Sequence, residues 1–360
     1  MSNISDHELL FCLKVPNKQT ESVKQQLLKT GVFLKNYKLL KDRDYIYLPI
    51  DYSPDTSYDW PVKQRLFTQL KSKLDYHTVL QNILPSILHE FIPTSFDRIG
   101  PAILIKLDPH LANYYHIIGS ELLKQFNVQS VYTKTGDVDT DYRTITWQCI
   151  AGVDDPVVIH KMHGLRFKVN LTAVYFNTRL SNEYLRIATM CQDNDVIIDM
   201  FSGVGPFALL CAFHKKVEIF AIDINPAAIQ LLKENISLNT KHLQGTIQAT
   251  CGDSKELIKS LPKAHIIIMN LPGLAIEFLA SAIDHVADHG TIFLHQFIHL
   301  SKEEKKLDLT KPQRMLEAKI TQIINESEKL RYTFEILGKK LRDVSPSKTH
   351  VVWDIRLSLG

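Results

Sequence analysis

The chain lacks the features that mark membrane-spanning and secreted proteins. No apolar run in its 360 residues approaches the roughly 20 needed to cross a bilayer. The opening segment "MSNISDHELLFCLKV" has an acidic pair and no basic stretch, unlike a signal or transit peptide. Its five cysteines include no C-x-x-C pair, which argues against a disulfide framework or a cysteine zinc site. We therefore expect a cytoplasmic protein without a membrane partner, with nuclear or mitochondrial pools if the source is eukaryotic.

Internal repeats, low-complexity segments and a strong excess of one charge are also missing. Hydrophobic content of 45% and charged content of 22% are those of an ordinary globular protein. A net charge of +3 fits a nucleic-acid partner and a solvated surface of mixed charge equally well. The length indicates two or three domains.

Three regions differ in their pattern of apolar residues. Residues 1–52 predict a small strand-helix-strand domain, followed by a turn-rich linker, "DYSPDTSYDWP". Residues 60–168 predict a second α/β domain. From residue 169 to 360, buried strands alternate with helices, which indicates a parallel, doubly wound sheet. A late strand, "HVVWDIRL", follows a long helix, and we expect it to enter that sheet antiparallel.

The loop "DMFSGVGPFALL", residues 199–210, lacks the parts of two common phosphate-binding loops. A P-loop ends in Gly-Lys-Ser/Thr, whereas Gly205 is followed by Pro206. A dinucleotide fingerprint has a third glycine at the position that Ala208 occupies, although some variants allow alanine there. The two remaining glycines are a weak signal, since a plain tight turn also uses them.

Acidic residues at three successive strand ends indicate what the loop holds. Asp199 opens the first turn, where it would repel a pyrophosphate but suits a cofactor that carries a sulfonium and an ammonium. Asp223 ends the second strand and can accept hydrogen bonds from ribose hydroxyls. Asp253 follows the third strand, within reach of an adenine amino group. Each acid alone could simply cap a helix, but together they predict S-adenosyl-L-methionine.

An Asn-x-Pro sequence follows the fourth strand, where a substrate lies in a doubly wound sheet. In "IIIMNLPG" the amide of Asn270 and a backbone carbonyl near Pro272 can grip a planar, nitrogen-bearing base. This pattern is typical of amino-group and base methyltransferases. The alternative is an ordinary proline turn at a strand end.

These motifs together resemble the archaeal and eukaryotic tRNA (guanine37-N1)-methyltransferase family over nearly the whole chain. The similarity includes "SFDRIGPAILIKL", "DYRTITWQCIAG", "VYFNTRLSNEYLRI", "DMFSGVGPF", "AIDINPAAI" and "MNLPGLAIEFL", in the family's order. The resemblance implies a class I, seven-stranded α/β methyltransferase fold preceded by two small α/β RNA-binding domains. It implies a monomer that methylates N1 of the guanosine 3′ of the anticodon of tRNA, which maintains the reading frame.

The resemblance also implies the roles of single residues. Guanine N1 carries a proton, so methyl transfer needs a base and a donor for the charge that develops on O6. Glu183 matches the family's base and Arg143 the arginine at O6, with Asn270 and Pro272 walling a pocket for a flipped base. Tyr175 and Arg186 are assigned to the substrate pocket. The cofactor-binding residues are Arg179, Asp199, Phe201, Gly203, Val204, Gly205, Pro206, Asp223, Ile224, Asn225, Asp253 and Asn270.

Several of these assignments have simpler structural alternatives. Arg143 could be a surface arginine, Glu183 a first-turn helix acid favoured by the helix dipole, and Tyr175 a core residue. The chain departs from the family at two positions, with Tyr184 where many members have a charged residue and Pro101 where an acid or histidine is usual.

No metal is expected, and the RNA contact should be electrostatic. His285 and His289 have metal-ligand spacing, but Gly290 follows immediately and predicts that the helix ends there. Basic residues in "KNYKLLKDR", "VKQRLFTQLKSK" and "LGKKLRD" alternate with aromatic residues that could stack on unpaired bases. By resemblance, the first domain contacts the outer corner of the tRNA and the catalytic domain takes the anticodon loop.

Two other functions stay open. A related wybutosine-pathway enzyme uses the same fold and cofactor to transfer an aminocarboxypropyl group, and some relatives methylate a tricyclic guanosine intermediate. A non-catalytic tRNA-binding protein is the alternative from another class. The acids and Asn-x-Pro at the strand ends favour an enzyme, and "VYFNTRLSNE" with "MNLPG" favours methyl transfer.

Overall fold

The chain divides into two compact units, Met1–Val79 and Leu80–Gly360. The computed structural model describes residues 7–35, 37–52, 57–68, 76–138, 145–299, 307–327, 332–345 and 347–359. The predicted three-domain division at 1–52, 60–168 and 169–360 stays a prediction.

The first unit is an antiparallel sheet with one helix packed on it. Its elements are β1 (His7–Pro16), α1 (Thr20–Lys29), β2 (Leu40–Lys41), β3 (Tyr45–Pro49) and β4 (Val62–Thr68). The strand order is β2-β3-β1-β4. Val23 and Leu27 of α1 are buried against Leu13 and Leu48 of the sheet, so the apolar stripe of the helix forms the core of this unit.

The second unit opens with a small mixed sheet and a hairpin. Its elements are α2 (Tyr76–Ile83), which includes the boundary between the units, β5 (Asp97–Ile99), β6 (Ala102–Ile105), α3 (Tyr115–Phe126), β7 (Ser130–Val138), β8 (Ile145–Gly152), β9 (Val157–Met162) and β10 (Leu165–Asn170). The small sheet has the order β5-β6-β7-β8, and β9 pairs with β10. Because Gly119 has no Cβ, α3 can lie close against β8. A Cβ at position 119 would lie only 2.7 Å from the Cβ of Ala151.

The main sheet has seven strands. Its elements are α4 (Ser181–Met190), β11 (Val196–Asp199), α5 (Pro206–His214), β12 (Glu218–Asp223), α6 (Pro226–Asn239), β13 (Thr246–Cys251), α7 (Ser254–Leu257), β14 (Ala264–Met269), α8 (Leu279–His285), β15 (Val286–His299), α9 (Thr310–Glu326), β16 (Tyr332–Ser345) and β17 (Lys348–Leu359). The order is β13-β12-β11-β14-β15-β17-β16, and β17 runs antiparallel between β15 and β16. The predicted doubly wound sheet with a late antiparallel strand is therefore confirmed.

Both faces of the central strands of the main sheet are buried. One apolar layer includes Ile197 and Phe293 together with residues of α4, α5 and α6, and the other includes Ile198 and Trp353 together with residues of α8 and α9. Since helices cover both faces, the carboxyl edge of the parallel strands is the place for a ligand to enter.

Two asparagine side chains of α6 hold the edge strand β10. Asn235 accepts a hydrogen bond from the backbone N of Lys168 at 2.6 Å and donates to its carbonyl at 3.1 Å. Asn239 does the same for Arg166, at 2.9 and 2.7 Å. Each amide replaces the partner that a neighbouring strand would supply, which satisfies the open edge of β10.

Helix α8 is shorter than the sequence predicted. It ends at His285, and Val286 already begins β15. His289 lies in that strand at a φ of 57°, so the two histidines do not share a helix face. Among the helices that the structure describes, none is both long and apolar enough to cross a membrane.

Candidate active site

The glycine loop between β11 and α5 is pinned to both neighbouring strands. The backbone N of Met200 donates to the carbonyl of Ile268 on β14 at 3.0 Å, and that of Ser202 donates to the carbonyl of Ile222 on β12 at 2.8 Å. Gly205 has a φ of 88°, and a Cβ there would lie 2.3 Å from Cδ1 of Leu232 on α6. Glycine is therefore required at 205 both by the backbone conformation and by the close approach of α6.

Asp223 braces this loop from the end of β12. Its Oδ2 accepts a hydrogen bond from the backbone N of Gly203 at 2.7 Å, and its Oδ1 accepts one from Asn225 N at 2.9 Å. Burial raises the pKa of this carboxyl, and the two amides oppose that rise. The next side chain, Ile224, is 56% exposed and offers an apolar surface beside the carboxylate.

Asp199 is buried at the end of β11 without a hydrogen-bond partner for either carboxylate oxygen. Burial raises the pKa of Asp199 to about 8; the backbone amide of Phe201 opposes the rise without forming a regular hydrogen bond, and the charge of Asp223 adds to it. The hydroxyl of Ser202, in the same loop, is also buried and unpartnered. Unsatisfied buried oxygens cost free energy unless a donor or cation reaches them.

Asn225 and Asp253 both cap helices at the same edge of the sheet. Asn225 Oδ1 accepts from the backbone N of Ala227 at 2.9 Å, while Nδ2 donates to the carbonyl of Ala173 at 2.9 Å. Asp253 is exposed and accepts from Lys255 N at 2.8 Å at the start of α7. The structural alternative of helix capping is thus observed for both residues, and the adenine contact of Asp253 stays a prediction.

The segment before α4 lines a cavity of about 220 Å³ between the small sheet and the main sheet. Its lining includes Trp147, Tyr175, Asn177 and Arg342. Tyr175 is 49% exposed, and its hydroxyl accepts a hydrogen bond from Asn177 Nδ2 at 3.1 Å. It is therefore not an ordinary core residue. Arg143 lies outside the described residues, but Ile145, two positions later, also lines this cavity.

Arg179, which the sequence assigned to the cofactor, forms an ion pair with Asp97 of β5. This pair links the segment before α4 to the small sheet. The Nε donor of Arg179 is therefore already bonded to a carboxylate of the chain itself.

Tyr184, one of the two departures from the family pattern, is fully buried. Its ring meets the ring of Phe207 edge to face at 4.7 Å, and its hydroxyl donates to the carbonyl of Asn177 at 2.9 Å. The residue fixes the cavity-lining segment to α4 and α5. The other departure, Pro101, precedes β6, and its carbonyl accepts from Gln129 N at 2.7 Å.

Glu183 and Arg186 form a buried ion pair, and their predicted roles at the substrate stay predictions. Arg186 Nε and Nη2 donate to the two carboxylate oxygens of Glu183 at 2.8 and 2.7 Å. The opposite edge of the guanidinium donates to Asp354 of β17 at 2.7 and 2.9 Å. Neither Glu183 nor Arg186 is among the residues that line the cavity.

Asn270 and Pro272 follow β14, beside the end of β11. Both are partly buried, and the carbonyl of Pro272 accepts a hydrogen bond from Phe297 N at 3.0 Å. The structure thus brings Asn270 to the same sheet edge as Asp199 and Asp223, as the strand-end rule predicts.

Sequence reasoning missed Ser202, Arg342 and Asp354. Ser202 could have been noticed inside the glycine loop, whereas Asp354 lies 168 positions from Arg186 and has no local signal. As for metals, the part of the chain that the structure describes contains no group of three or more His, Cys, Asp or Glu side chains suited to hold an ion.

Comparison with known families matches three parts of the chain. Residues 12–58 match the tRNA methyltransferase 5 N-terminal domain, 76–155 the TYW2 N-terminal domain, and 158–326 the TRM5/TYW2 methyltransferase domain.

Individual relatives show the same similarity along nearly the full length. The tRNA (guanine(37)-N(1))-methyltransferase Trm5b of Pyrococcus abyssi is 34% identical over 97% of this chain and 100% of the relative. Its crystal structure superposes with a TM-score of 0.70 at 32% identity, over 97% of this chain and 100% of that one. A complex of aTrm5 and tRNALeu gives 0.66 at 27% identity, covering 96% and 99%. Methanocaldococcus jannaschii Trm5 in complex with adenosine gives 0.63 at 26%, covering 97% and 100%.

Proposed function

Because the chain belongs to the tRNA (guanine(37)-N(1))-methyltransferase family, we propose that it transfers a methyl group from S-adenosyl-L-methionine to N1 of guanosine 37 of tRNA. The substrate is a tRNA with guanosine directly 3′ of the anticodon, and the enzyme acts as a cytoplasmic monomer. The first domain contacts the outer corner of the tRNA, while the second domain and the main sheet form the catalytic site.

The observation that supports the cofactor is the pair of carboxylates beside the glycine loop. Asp199 is a buried acid without a partner, which suits a ligand that carries positive charge and N–H donors. Asp223 already orients the loop and can accept hydrogen bonds from ribose hydroxyls. The exposed side chain of Ile224 can pack on a flat ring. A phosphate would instead meet unfavourable charge. The bound cofactor supplies an electrophilic methyl group on sulfur.

The residues of the chain supply the proton transfer and the base pocket. In this proposal Glu183 takes the N1 proton and Arg143 donates to O6, where negative charge develops. The guanine is flipped out of the anticodon loop, because N1 lies on its pairing edge. Asn270, Pro272 and Tyr175 wall the pocket. Arg186 holds the Glu183 carboxylate through two hydrogen bonds.

Mass spectrometry of nucleosides tests the proposal. An unmodified tRNA transcript with guanosine 37 is incubated with the protein and S-adenosyl-L-methionine, digested and analysed. We expect 1-methylguanosine, and none from a transcript in which adenosine replaces guanosine 37. Unmodified nucleosides under all conditions would refute an enzymatic function and favour a tRNA-binding protein.

One observation favours a second function. Residues 76–155 match the TYW2 N-terminal domain, and the family description of residues 158–326 covers TYW2 as well. An enzyme of that class would transfer the aminocarboxypropyl group to a tricyclic guanosine. The same measurement on tRNA that carries this intermediate separates the two functions by the mass added, and it also detects methylation of the intermediate.

The base assignment predicts a specific kinetic defect. Glu183→Gln should bind tRNA normally, while single-turnover methyl transfer falls by about 10²–10⁴, the usual contribution of a positioned base. Arg143→Ala should lower the same step by about 10²–10³, and the two losses should not add because they affect one transition state. Glu218→Gln, an exposed acid at the amino end of β12, is the matched control. A Glu183→Gln rate within a few-fold of the wild-type rate would exclude Glu183 as the base.

A further inference from the structure

The Arg186 guanidinium is shared between two buried carboxylates. It uses one edge for Glu183 and the other for Asp354, and Nη1 also contacts the Met190 sulfur at 3.3 Å. All five of its N–H donors therefore have partners. Exposure of the three charged side chains is only 3%, 19% and 7% for Glu183, Arg186 and Asp354. One positive charge is thus shared by two negative charges at a site with little solvent exposure.

The sheet register explains how Asp354 reaches this position. Asp199 pairs with Ile268, Ile268 with Phe293, and Phe293 with Asp354 across β11, β14, β15 and β17. Directly paired residues point to the same face of a sheet, so Asp354 lies on the same face as Asp199. The Arg186 guanidinium lies over the ring of Phe293 at 5.2 Å. The network therefore lies on the face of the sheet that carries Asp199, in the same row of paired residues.

We propose that Asp354 is a positioning residue for Glu183. By holding the far edge of Arg186 it fixes the Glu183 carboxylate, and its own negative charge offsets part of the guanidinium charge that Glu183 faces. Without Asp354, Glu183 would face the whole charge of Arg186. This inference rests on the proposed role of Glu183 in methyl transfer.

His295, a further ionisable group near this network, contributes little charge. On β15, burial, His350 and the nearby Arg186 charge, in that order, all lower the pKa of His295, which keeps its ring neutral. Arg186 itself has a raised pKa: its bonds to Glu183 and Asp354 outweigh the opposing effect of burial, so it stays charged. Among the described residues, Glu183 on α4, Asp354 on β17 and neutral His295 on β15 thus lie near the Arg186 guanidinium.

The first test titrates Glu183 in the protein alone by NMR, with ¹³C-labelled glutamate carboxyls and Glu183→Gln to identify the resonance. Asp354→Asn removes a negative charge, which favours ionised Glu183, so its titration midpoint should fall by on the order of one pH unit. Arg186→Lys cannot fork between both carboxylates, so the midpoint should rise. Asp343→Asn, an exposed acid of β16, should leave it unchanged. If either Asp354→Asn or Arg186→Lys fails to fold, the other variant still tests the proposal.

The second test measures single-turnover methyl transfer and binding. Asp354→Asn should lower the rate by about threefold to tenfold, since a base of lower proton affinity is less efficient. Affinity for tRNA and cofactor should stay as in the wild type, and Asp354→Glu should restore the rate. An unchanged midpoint in a folded variant, or a shifted midpoint with an unchanged rate, would overturn the inference. A wild-type protein without methyl transfer would instead refute the proposed function, because the titration needs no activity.

Discussion

Two aspartates at adjacent strand ends experience different surroundings, although both belong to the proposed cofactor site. Asp223 accepts two backbone hydrogen bonds, whereas Asp199 is fully buried and accepts none. The first therefore builds the loop, and the second is left for a ligand. Single residues at this edge are best distinguished by which of their hydrogen bonds the protein itself already satisfies.

Cofactor binding should release a proton from Asp199. With a pKa of about 8, the carboxyl is mostly protonated at pH 7 in the protein alone. A nearby cation favours the ionised form, so binding should release about one proton per site. Calorimetry at pH 7 in buffers of different ionisation enthalpy measures this number. Asp199→Asn should release far less, and equal release by the two proteins would contradict the assignment.

Loss of the Asp223 carboxylate should weaken cofactor binding. Asp223→Asn keeps the shape but removes the charge and one of the acceptors that orient the loop. We expect affinity to fall by about 1.5–3 kcal/mol, the size of charge-assisted hydrogen bonds. Isothermal titration with S-adenosyl-L-methionine checks this, with Glu218→Gln on the same strand as control. Unchanged affinity would exclude the ribose contact.

At the scale of elements, β-strand ends and helix starts hold the site together. The glycine loop bonds to β12 and β14, and α6 contributes Leu232 behind the loop and two asparagines that hold β10. The helix therefore supports the cofactor loop on one side and the connection to the small sheet on the other. Rigid neighbours of this kind position a binding loop more accurately than the loop could itself.

The two glycines of the loop should differ in their tolerance of alanine. Gly205→Ala adds backbone strain and an overlap with Leu232, so the free energy of unfolding should fall by about 2–4 kcal/mol. Gly203 has a φ of 54°, but a Cβ at this position would lie 3.8 Å from its nearest neighbour, the carbonyl oxygen of Tyr175. Gly203→Ala should therefore cost only about 1–2 kcal/mol. Urea denaturation measures both, and equal losses would show that the overlap with α6 does not matter.

At the scale of the whole molecule, the chain consists of two units. Each has its own apolar core, and the excess of lysine and arginine over acidic residues lies in the first unit. A tRNA contact that uses such residues replaces condensed counterions on the phosphates. Modest net charge does not prevent this, because the basic side chains need only be locally concentrated.

Salt should weaken tRNA binding but not cofactor binding. Raising monovalent salt from about 50 to 200 mM should lower tRNA affinity by at least about tenfold, with a linear dependence of log affinity on log salt. Filter binding measures the tRNA term, and calorimetry of S-adenosyl-L-methionine in the same buffers is the control. A flat salt dependence would contradict an electrostatic RNA contact.

The sequence by itself determined the doubly wound sheet and the position of most proposed cofactor residues. Alternating apolar strands and helices indicate parallel strands, and the carboxyl ends of parallel strands meet at one edge. Asp199, Asp223 and Asn270 could therefore be placed together from their positions alone. Periodicity and the strand-end rule depend on local sequence, so both can be applied without knowledge of the tertiary structure.

Only the tertiary structure decided the surroundings of Glu183 and the role of Tyr184. The Glu183 carboxylate is held by Arg186, which is local, but the other edge of Arg186 binds Asp354, which the antiparallel insertion of β17 brings beside β15. Tyr184 is buried because α4 packs on α5 at Phe207. Such contacts join residues far apart in the chain, and their geometry depends on register and helix packing, which no local pattern encodes.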